Sequence, residues 1–593
     1  MIILIRNLYV RYLTSFSSFP KIQLLKNYSQ AVTQLKMNEA ILFHEEGSKN
    51  FKMSFRYVNP DLNVDRQFNF QRQVDESINR FIQRIHKNIY AYIIKIIYRK
   101  QKKRNENFIE MNIMNENNEI KFIKNHSVLN GDLTCKSILE NNADIKLVIF
   151  DTEYVLKQNV PHISKIELPT SILVGFPIYP SKFEGTNVNK VNSIFNWYKK
   201  ENKKWIHVGE GFFYVPTISD IGCQLKVSCI PKNNMEYGPL IEIISNNVVQ
   251  IGPGLCPFDT RHAFTKNKLS NKNFRVTSYN ILANIYSETS VSKDTLYPYC
   301  PHYALSMDYR KLLILKELIG YNSDIICLQE VDATIYKNDL QVSLTALNYN
   351  SVYNLKNDLR EGLAIFYNQE KFDKLSHNYS VISQGINLNE FNIVWSQIQN
   401  DNIKQIFLNR NTIIQSIVLR SKENDEILIV GNTHLYFRLK ADHIRLLQAY
   451  YGLLYLHTFS KKIKEENPEC NVSILYCGDF NSTPQNAIYQ LMTQNYVSSD
   501  HSDWISDPQE HVQNISIKHD LNLASACGIP EYTNYTATFS GCLDYIFYQT
   551  DYLAVEQVIP MPSKEELSTY TGLPSIVCPS DHIALCVDLK WLK

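Results

Sequence analysis

From residue 274 to the C-terminus, short apolar runs end again and again in a polar residue of catalytic type, and this repetition limits the fold more than any other feature. Phe274–Tyr279 ends at Asn280, Asp324–Leu328 at Gln329-Glu330, and Ile427–Val430 leads to Asn432-Thr433-His434. Val472–Cys477 leads into Gly478-Asp479-Phe480-Asn481, Asp544 sits inside the apolar run Leu543–Phe547, and Asp581-His582 precedes Ile583. Short apolar runs bounded by turn residues read as buried strands, so all six polar tips are expected at one edge of a sheet sandwich. Singly, each has an ordinary explanation: a turn residue (Asn280), a charge at a strand end (Glu330), a core histidine (His434), or an Asx turn before Pro484 (Asp479, Asn481). Asp544 resists this, because a carboxylate between Leu543 and Tyr545-Ile546-Phe547 is costly to bury unless it is paired or hydrogen-bonded.

The residue types suit attack on a phosphodiester. That ester is already anionic and repels hydroxide, so its hydrolysis needs a hard cation held by oxygen ligands, a base for water, and donors for the developing charge. Glu330 and Asn280 are candidate ligands for Mg2+, with Mn2+ as a substitute. Asp479 can orient or deprotonate water, and the Asn481 amide can donate to a phosphate oxygen. His434 and His582 offer N–H donors, and Asp544 can hold His582 cationic and oriented.

A chain of 593 residues is long enough for at least two domains. The net charge of +2 hides an asymmetry: five basic residues, Arg6 to Lys36, lie in a leader with no acid before Glu39. That leader, residues 1–36, also carries Thr14, Ser15, Ser17 and Ser18, the pattern of a mitochondrial transit peptide. The rest is slightly acidic, so a polyanion must be gripped by local patches and metal. Twelve Cys without CxxC spacing read as reduced core thiols. The longest later apolar run, Tyr90–Tyr98, contains Lys95 and is far short of the roughly 20 residues that cross a bilayer, so no membrane span is expected.

Residues 37–255 read as a β-rich N-terminal region. It opens with a strand at Met53–Tyr57 and a helix on which Val74, Ile78, Phe81, Ile85 and Ile89 recur at helical spacing. That helix runs into the basic cluster Arg99–Arg104, read as a solvated linker in preference to a phosphate-binding patch. Alternating runs over about 145–250 suggest an immunoglobulin-like sandwich with a corner at Tyr214 and Asp220. Gly252–Asn273 reads as the connection to the catalytic domain.

The motifs SYNIL (278–282), CLQEV (327–331), NTHL (432–435), GDFNSTP (478–484), LDYIF (543–547) and SDH (580–582) together resemble the endonuclease/exonuclease/phosphatase superfamily over the whole of 274–593. The resemblance implies an α/β class with the DNase I-like four-layer α/β/β/α sandwich, preceded here by the β-rich region. It also implies a site in which Glu330, Asn280, Asp479, Asn481 and Asp581 hold metal and Asp479, Asn481, His434, Asp544 and His582 carry the chemistry. A narrower resemblance, to carbon-catabolite-repressor type deadenylases, is carried by Tyr297-Pro298-Tyr299-Cys300-Pro301, Ala304-Leu305 and Asp308-Tyr309-Arg310. LYPYCPHYAL (296–305), REGLAIFY (360–367), YTNY (532–535) and VEQVIPMPS (555–563) are similar to a mitochondrial member of that group.

Such an enzyme would act in the mitochondrial matrix, removing 5'-AMP from the 3' end of single-stranded adenosine-rich RNA and of 2',5'-oligoadenylate. Tyr297, Tyr299 and Tyr303 are then candidates for stacking on bases. A cytosolic deadenylase, a lipid or inositol phosphodiesterase on the same fold, and a catalytically dead RNA binder are the competing readings. The sequence gives no sign of an oligomeric state.

Overall fold

The computed structural model describes residues 38–60, 64–104, 120–140, 144–270, 272–356 and 360–592. The expected transit peptide lies outside these, as do residues 105–119. Two compact units form the chain: residues 1–166, 184–195 and 228–242, and residues 167–183, 196–227 and 243–593.

The first unit is built on a seven-stranded sheet in the order Val64–Gln73, Asn50–Asn59, Glu39–Phe43, Thr152–Gln158, Ile145–Ile149, Ile120–Lys124, Ser127–Val128. The helix Ile78–Arg104 covers one face. Its Ile78, Phe81, Ile85, Ile89 and Ile93 are buried at helical spacing, and the Phe81 ring packs on Phe51, Phe70 and Phe122. The expected sandwich over 145–250 needs correcting, because Ile145–Ile149 and Thr152–Gln158 pair into this sheet. Alternation reports that a strand has a buried face but is silent about which strand lies beside it. What remains is a four-stranded sheet in the order Lys204–Glu210, Ile194–Glu201, Gln224–Ile230, Ile241–Val248. In the corner, the Tyr214 hydroxyl donates to Asp220 Oδ2 at 2.7 Å.

In the second unit two six-stranded sheets face one another. The first runs Tyr349–Leu355, Glu361–Asn368, Ile325–Asp332, Asn273–Asn280, Leu585–Trp591, Leu553–Val558; the second runs Phe372–Val381, Ile413–Ser421, Ile427–His434, Val472–Asp479, Asp544–Gln549, Leu523–Ser525. Each is covered outside by helices, chiefly Met307–Tyr321 on the first and Asp442–Glu466 on the second. This is the four-layer α/β/β/α sandwich, and it explains why the strands read as unbroken apolar runs. Ile325 and Cys327 face the opposite sheet while Ile326 and Leu328 face the helix layer, so both faces need apolar side chains.

The second unit begins before residue 274. Tyr179 donates to Asp339 at 2.8 Å, and the supposed connection contains a short helix, Pro257–Arg261, whose buried Arg261 donates to the carbonyls of Pro560 and Ala584, both at 2.8 Å. The helix Met307–Tyr321 runs through Gly320 and is capped at Asn322 with φ 49°. Gly320 serves packing: a Cβ there would meet the His262 ring at 2.1 Å. All twelve cysteines are free and most are buried. Among the described residues no helix is long and apolar enough to cross a membrane.

Arg275 and Asp588, on neighbouring strands of the first sheet, form a buried two-pronged ion pair at 2.6 and 2.9 Å. Removing one partner strands a buried charge, so Asp588→Ala is expected to lower the stability of the second unit by about 3–5 kcal/mol. The exposed pair Arg56–Asp65 in the first unit should contribute less than about 1 kcal/mol. Shifts of the denaturant midpoint in the two variants check the contrast.

Candidate active site

Strand register brings the polar tips together. Asn273–Asn280 and Ile325–Asp332 are parallel with Asn280 opposite Gln329, and Ile427–His434 and Val472–Asp479 are parallel with His434 opposite Asp479. Asp544 opens an antiparallel strand directly opposite Asp479. A bulge in the pairing between Leu328 and Val331 puts Glu330 at φ 55°, turning its carboxylate out of the ladder. Gly478, at φ 151°, has room for no Cβ, which would lie 2.1 Å from the Thr433 carbonyl oxygen.

The Asn280 amide is the hub. Its Nδ2 donates to Glu330 Oε1 and to Asp479 Oδ2, both at 3.0 Å, tying a carboxylate of one sheet to a carboxylate of the other. Glu330 Oε2 also accepts from the Ala283 N–H at 2.9 Å. Burial, then the nearby Asp581 and Glu361, push the Glu330 carboxyl up to about 7. Burial, then Asp544, push Asp479 up to about 6, while His582, Asn280 and the Asn481 N–H oppose the rise. That N–H donates to Asp479 Oδ1 at 2.9 Å, and the Asn481 side-chain amide uses one of its hydrogens on the Leu435 carbonyl at 3.0 Å.

Two buried histidines flank Asp479, each with Nε2 at 3.6 Å from its Oδ2, and their surroundings set them in opposite protonation states. Burial disfavours a charged His582, but Asp544, Asp479 and Asp581 overcome this and hold it well above the usual imidazole range. Its Nδ1–H donates to Asp544 Oδ2 at 2.8 Å, and the same oxygen accepts from Thr533 Oγ1 at 2.6 Å. His434 is held well below the usual range by burial and by the neighbouring Lys356 and His582. The Lys356 ammonium donates to its Nδ1 at 2.9 Å, so the proton sits on Nε2, facing Asp479. Lys356 is in turn paired with Glu361 at 3.0 Å.

Among the expected base-stacking tyrosines, Tyr303 is 60% exposed, whereas Tyr297 is only 6% exposed. Tyr297 therefore needs correcting: its ring is packed in the core and its hydroxyl donates to Asp581 Oδ2 at 2.9 Å, positioning that acid instead of meeting a base. Tyr299 is half-buried with its hydroxyl on the Leu573 carbonyl. Sequence reasoning missed Lys356, Glu361 and Thr533, and gave no role to Arg310. The fully buried Arg310 guanidinium donates to the carbonyls of Ile281, Leu282 and Pro579 at 2.8–3.0 Å, clamping the loop after Asn280 to the loop before Asp581. Asp308-Tyr309-Arg310 was visible as a motif, but nothing local says what an arginine will reach.

Residues 277–582 match the Endonuclease/Exonuclease/phosphatase family, and residues 160–250 match the 2',5'-phosphodiesterase 12-like N-terminal domain. The 2',5'-phosphodiesterase 12 of Bos taurus is 39% identical over 469 residues, which are 75% of this chain and 76% of that protein. The Homo sapiens protein is 38% identical over the same shares. The chain belongs to the 2',5'-phosphodiesterase 12 family. More distant is the CCR4-Not complex 3'-5'-exoribonuclease subunit Ccr4 of Schizosaccharomyces pombe, 30% identical over 58% of this chain and 53% of that one.

As a member of this family and of the wider superfamily, the chain is a hydrolytic enzyme of the divalent-metal-dependent kind. Two clusters could take the ion. Ligand atoms of Asp479, Asp544 and His582 all lie within 4.8 Å of one another, but His582 carries protons on its ring nitrogens, and an imidazolium cannot ligate. The carboxylate of Glu330, crowded by Asp581 and joined through Asn280 to Asp479, is the oxygen-rich alternative that a hard cation requires. The raised Glu330 value carries the same message, since uncompensated negative charge is what a cation relieves.

Between the ordinary value of 4.5 and about 7, folded Glu330 keeps a proton that the unfolded chain has lost, so stability falls as pH rises through that window. In chelator, the melting temperature is expected to drop between pH 5 and 7.5, with a shallower drop in Glu330→Gln. Added Mg2+ should raise the melting temperature of the wild type at pH 7.5 and not that of the variant. Turnover of the variant should fall on the order of 100-fold or more. Normal turnover, or undiminished stabilisation by Mg2+, would remove Glu330 as the main ligand.

Proposed function

We propose that this chain is a Mg2+-dependent 3'-to-5' exoribonuclease and phosphodiesterase that releases 5'-AMP from 2',5'-oligoadenylate and from the 3',5' poly(A) tails of mitochondrial RNA. The observation that carries this reading is the line of groups around Asp479: a neutral imidazole on one side, an imidazolium on the other, and Asn280 linking it to Glu330.

Glu330 would hold the ion, with Asp581, Asn280, Asp479 and Asn481 around it. When bound, the ion polarises a phosphoryl oxygen and offsets the negative charge that repels the nucleophile. The chain's own groups do the rest. Asp479, anionic at neutral pH, orients the attacking water and accepts its proton. His582, kept cationic by Asp544, donates to a phosphoryl oxygen as negative charge builds. His434 presents Nε2–H on the other side, its tautomer set by Lys356. The remaining hydrogen of the Asn481 amide is a further donor.

These groups are assigned to the attacking water and the phosphoryl oxygens and none to the ribose oxygen that leaves, so the reading favours neither a 3' nor a 2' leaving hydroxyl. Both linkages fit the same grip on phosphate. Base identity has to be read elsewhere, by stacking and by contacts to unpaired base edges, and exposed Tyr303 is the candidate that the fold leaves open to solvent.

Incubating the purified chain with Mg2+ and end-labelled oligomers is expected to release 5'-AMP from both 2',5'- and 3',5'-oligoadenylate, with slower action on other homopolymers and none on duplex. Equal cleavage of oligouridylate, or phosphate release from phosphoinositides without nucleotide release, would overturn the reading. A fusion of residues 1–37 to a fluorescent protein is expected to enter mitochondria. A diffuse signal would place the enzyme in the cytosol, acting on poly(A) there.

A further inference from the structure

The groove between the edge strand Val64–Gln73 and the helix Ile78–Arg104 is part of no catalytic constellation, yet it gathers cations, an aromatic ring and amides. We infer that it is a second binding site for single-stranded RNA, one that holds the body of the substrate without reading its sequence. The role rests on the proposed RNA substrate; the binding itself can be measured without turnover.

Charge is the first observation. The 27-residue helix carries nine Lys and Arg and no Asp or Glu. Arg80, Arg84, Lys87 and Lys95 are exposed and recur at spacings that keep them on one face, and among the described residues none of them is ion-paired. Five more basic residues follow in Arg99–Arg104. Of the acids near the start of the helix, Asp65 is held by Arg56 at 2.7 Å and Glu76 by Arg72, which leaves exposed Asp75. So dense an unbalanced positive face is an electrostatic footprint for a polyanion.

The groove's lining is the second. It has a volume of about 450 Å3 and is lined by Arg66, Gln67, Asn69, Asn88, Tyr92 and Lys95 among others. The Arg66 guanidinium lies 4.3 Å from the centre of the Tyr92 ring. Flat cationic and aromatic surfaces stack on any base, and side-chain amides reach unpaired base edges. An anionic membrane would call for exposed Trp, Phe or Leu beside the cations. Among the described residues of the helix, Tyr98 is the one exposed large apolar side chain.

The test uses the full chain with Arg84→Glu/Lys87→Glu/Lys95→Glu, and separately Arg66→Ala/Tyr92→Ala, each checked for folding by its melting curve. Lys87→Arg/Lys95→Arg serves as the charge-keeping control. Anisotropy of labelled 20-nucleotide oligoadenylate and oligouridylate in chelator should show affinity falling about tenfold for both in the triple variant and unchanged in the control. The slope of log K against log salt should drop by about 2, at roughly 0.7 per lost phosphate contact. KM for long oligoadenylate should rise with kcat unchanged, and trinucleotide turnover should stay at the wild-type level. Unchanged affinity and slope in both variants would overturn the site. So would a loss confined to binding of anionic vesicles, which would give the helix to a membrane. Failure of the wild type to hydrolyse even the trinucleotide would strike the exonuclease reading alone, since the binding result stands or falls by itself.

Discussion

One side-chain amide joins the two halves of the active centre. Asn280 stands at the end of a strand in the first sheet and donates to Glu330 beside it and to Asp479 in the facing sheet. Both contacts require that the sheets pack in one register, and a second buried amide pair enforces it. Gln329 Nε2 donates to Asn432 Oδ1 at 2.8 Å across the interface, while Asn432 Nδ2 donates to the Leu328 carbonyl at 3.0 Å. In an otherwise apolar interface these groups would be costly without their partners. Sliding one sheet past the other would break them, so the packing that excludes water also aligns the chemistry.

From that alignment the protonation pattern follows. Each histidine is buried and each touches the surroundings of the same aspartate, yet the partner on the far ring nitrogen differs. A carboxylate holds His582 as a cation, whereas burial, with an ammonium beside it, holds His434 neutral. Two residues of one type thereby present different donors to one substrate atom's neighbourhood. The neighbouring groups that differ, Asp544 at the start of a strand and Lys356 just after one, are far apart in the chain.

The polar tips from Asn280 to His582 were legible because six residues of catalytic type recur at the ends of apolar runs, a repetition that the ordinary explanation of each one does not cover. The four layers were expected from the resemblance that the strand-end motifs carry, since apolar period alone does not say how sheets and helices stack. Other features were opaque. Tyr297 looked like a stacking surface, since an aromatic in a Pro-rich loop carries no mark of whether its ring turns inward. Lys356 gave no signal, and Arg310 and Thr533 stood in recognisable motifs without a role, because what each does lies entirely in what it touches. The strands at 145–158 were placed in the wrong sheet, their partner Glu39–Phe43 lying more than a hundred residues earlier.

By itself, then, the sequence determined which residues could do chemistry and that they lie at strand ends, because residue type and hydrophobic period are local properties of the chain. Tertiary structure alone decided which tips meet, which histidine is charged, and which tyrosine faces solvent. Those depend on strand register, on the bulge that turns Glu330, and on burial. Each is a consequence of contacts between distant segments, and electrostatic shifts of that kind arise only when the surrounding water has been replaced by particular neighbours.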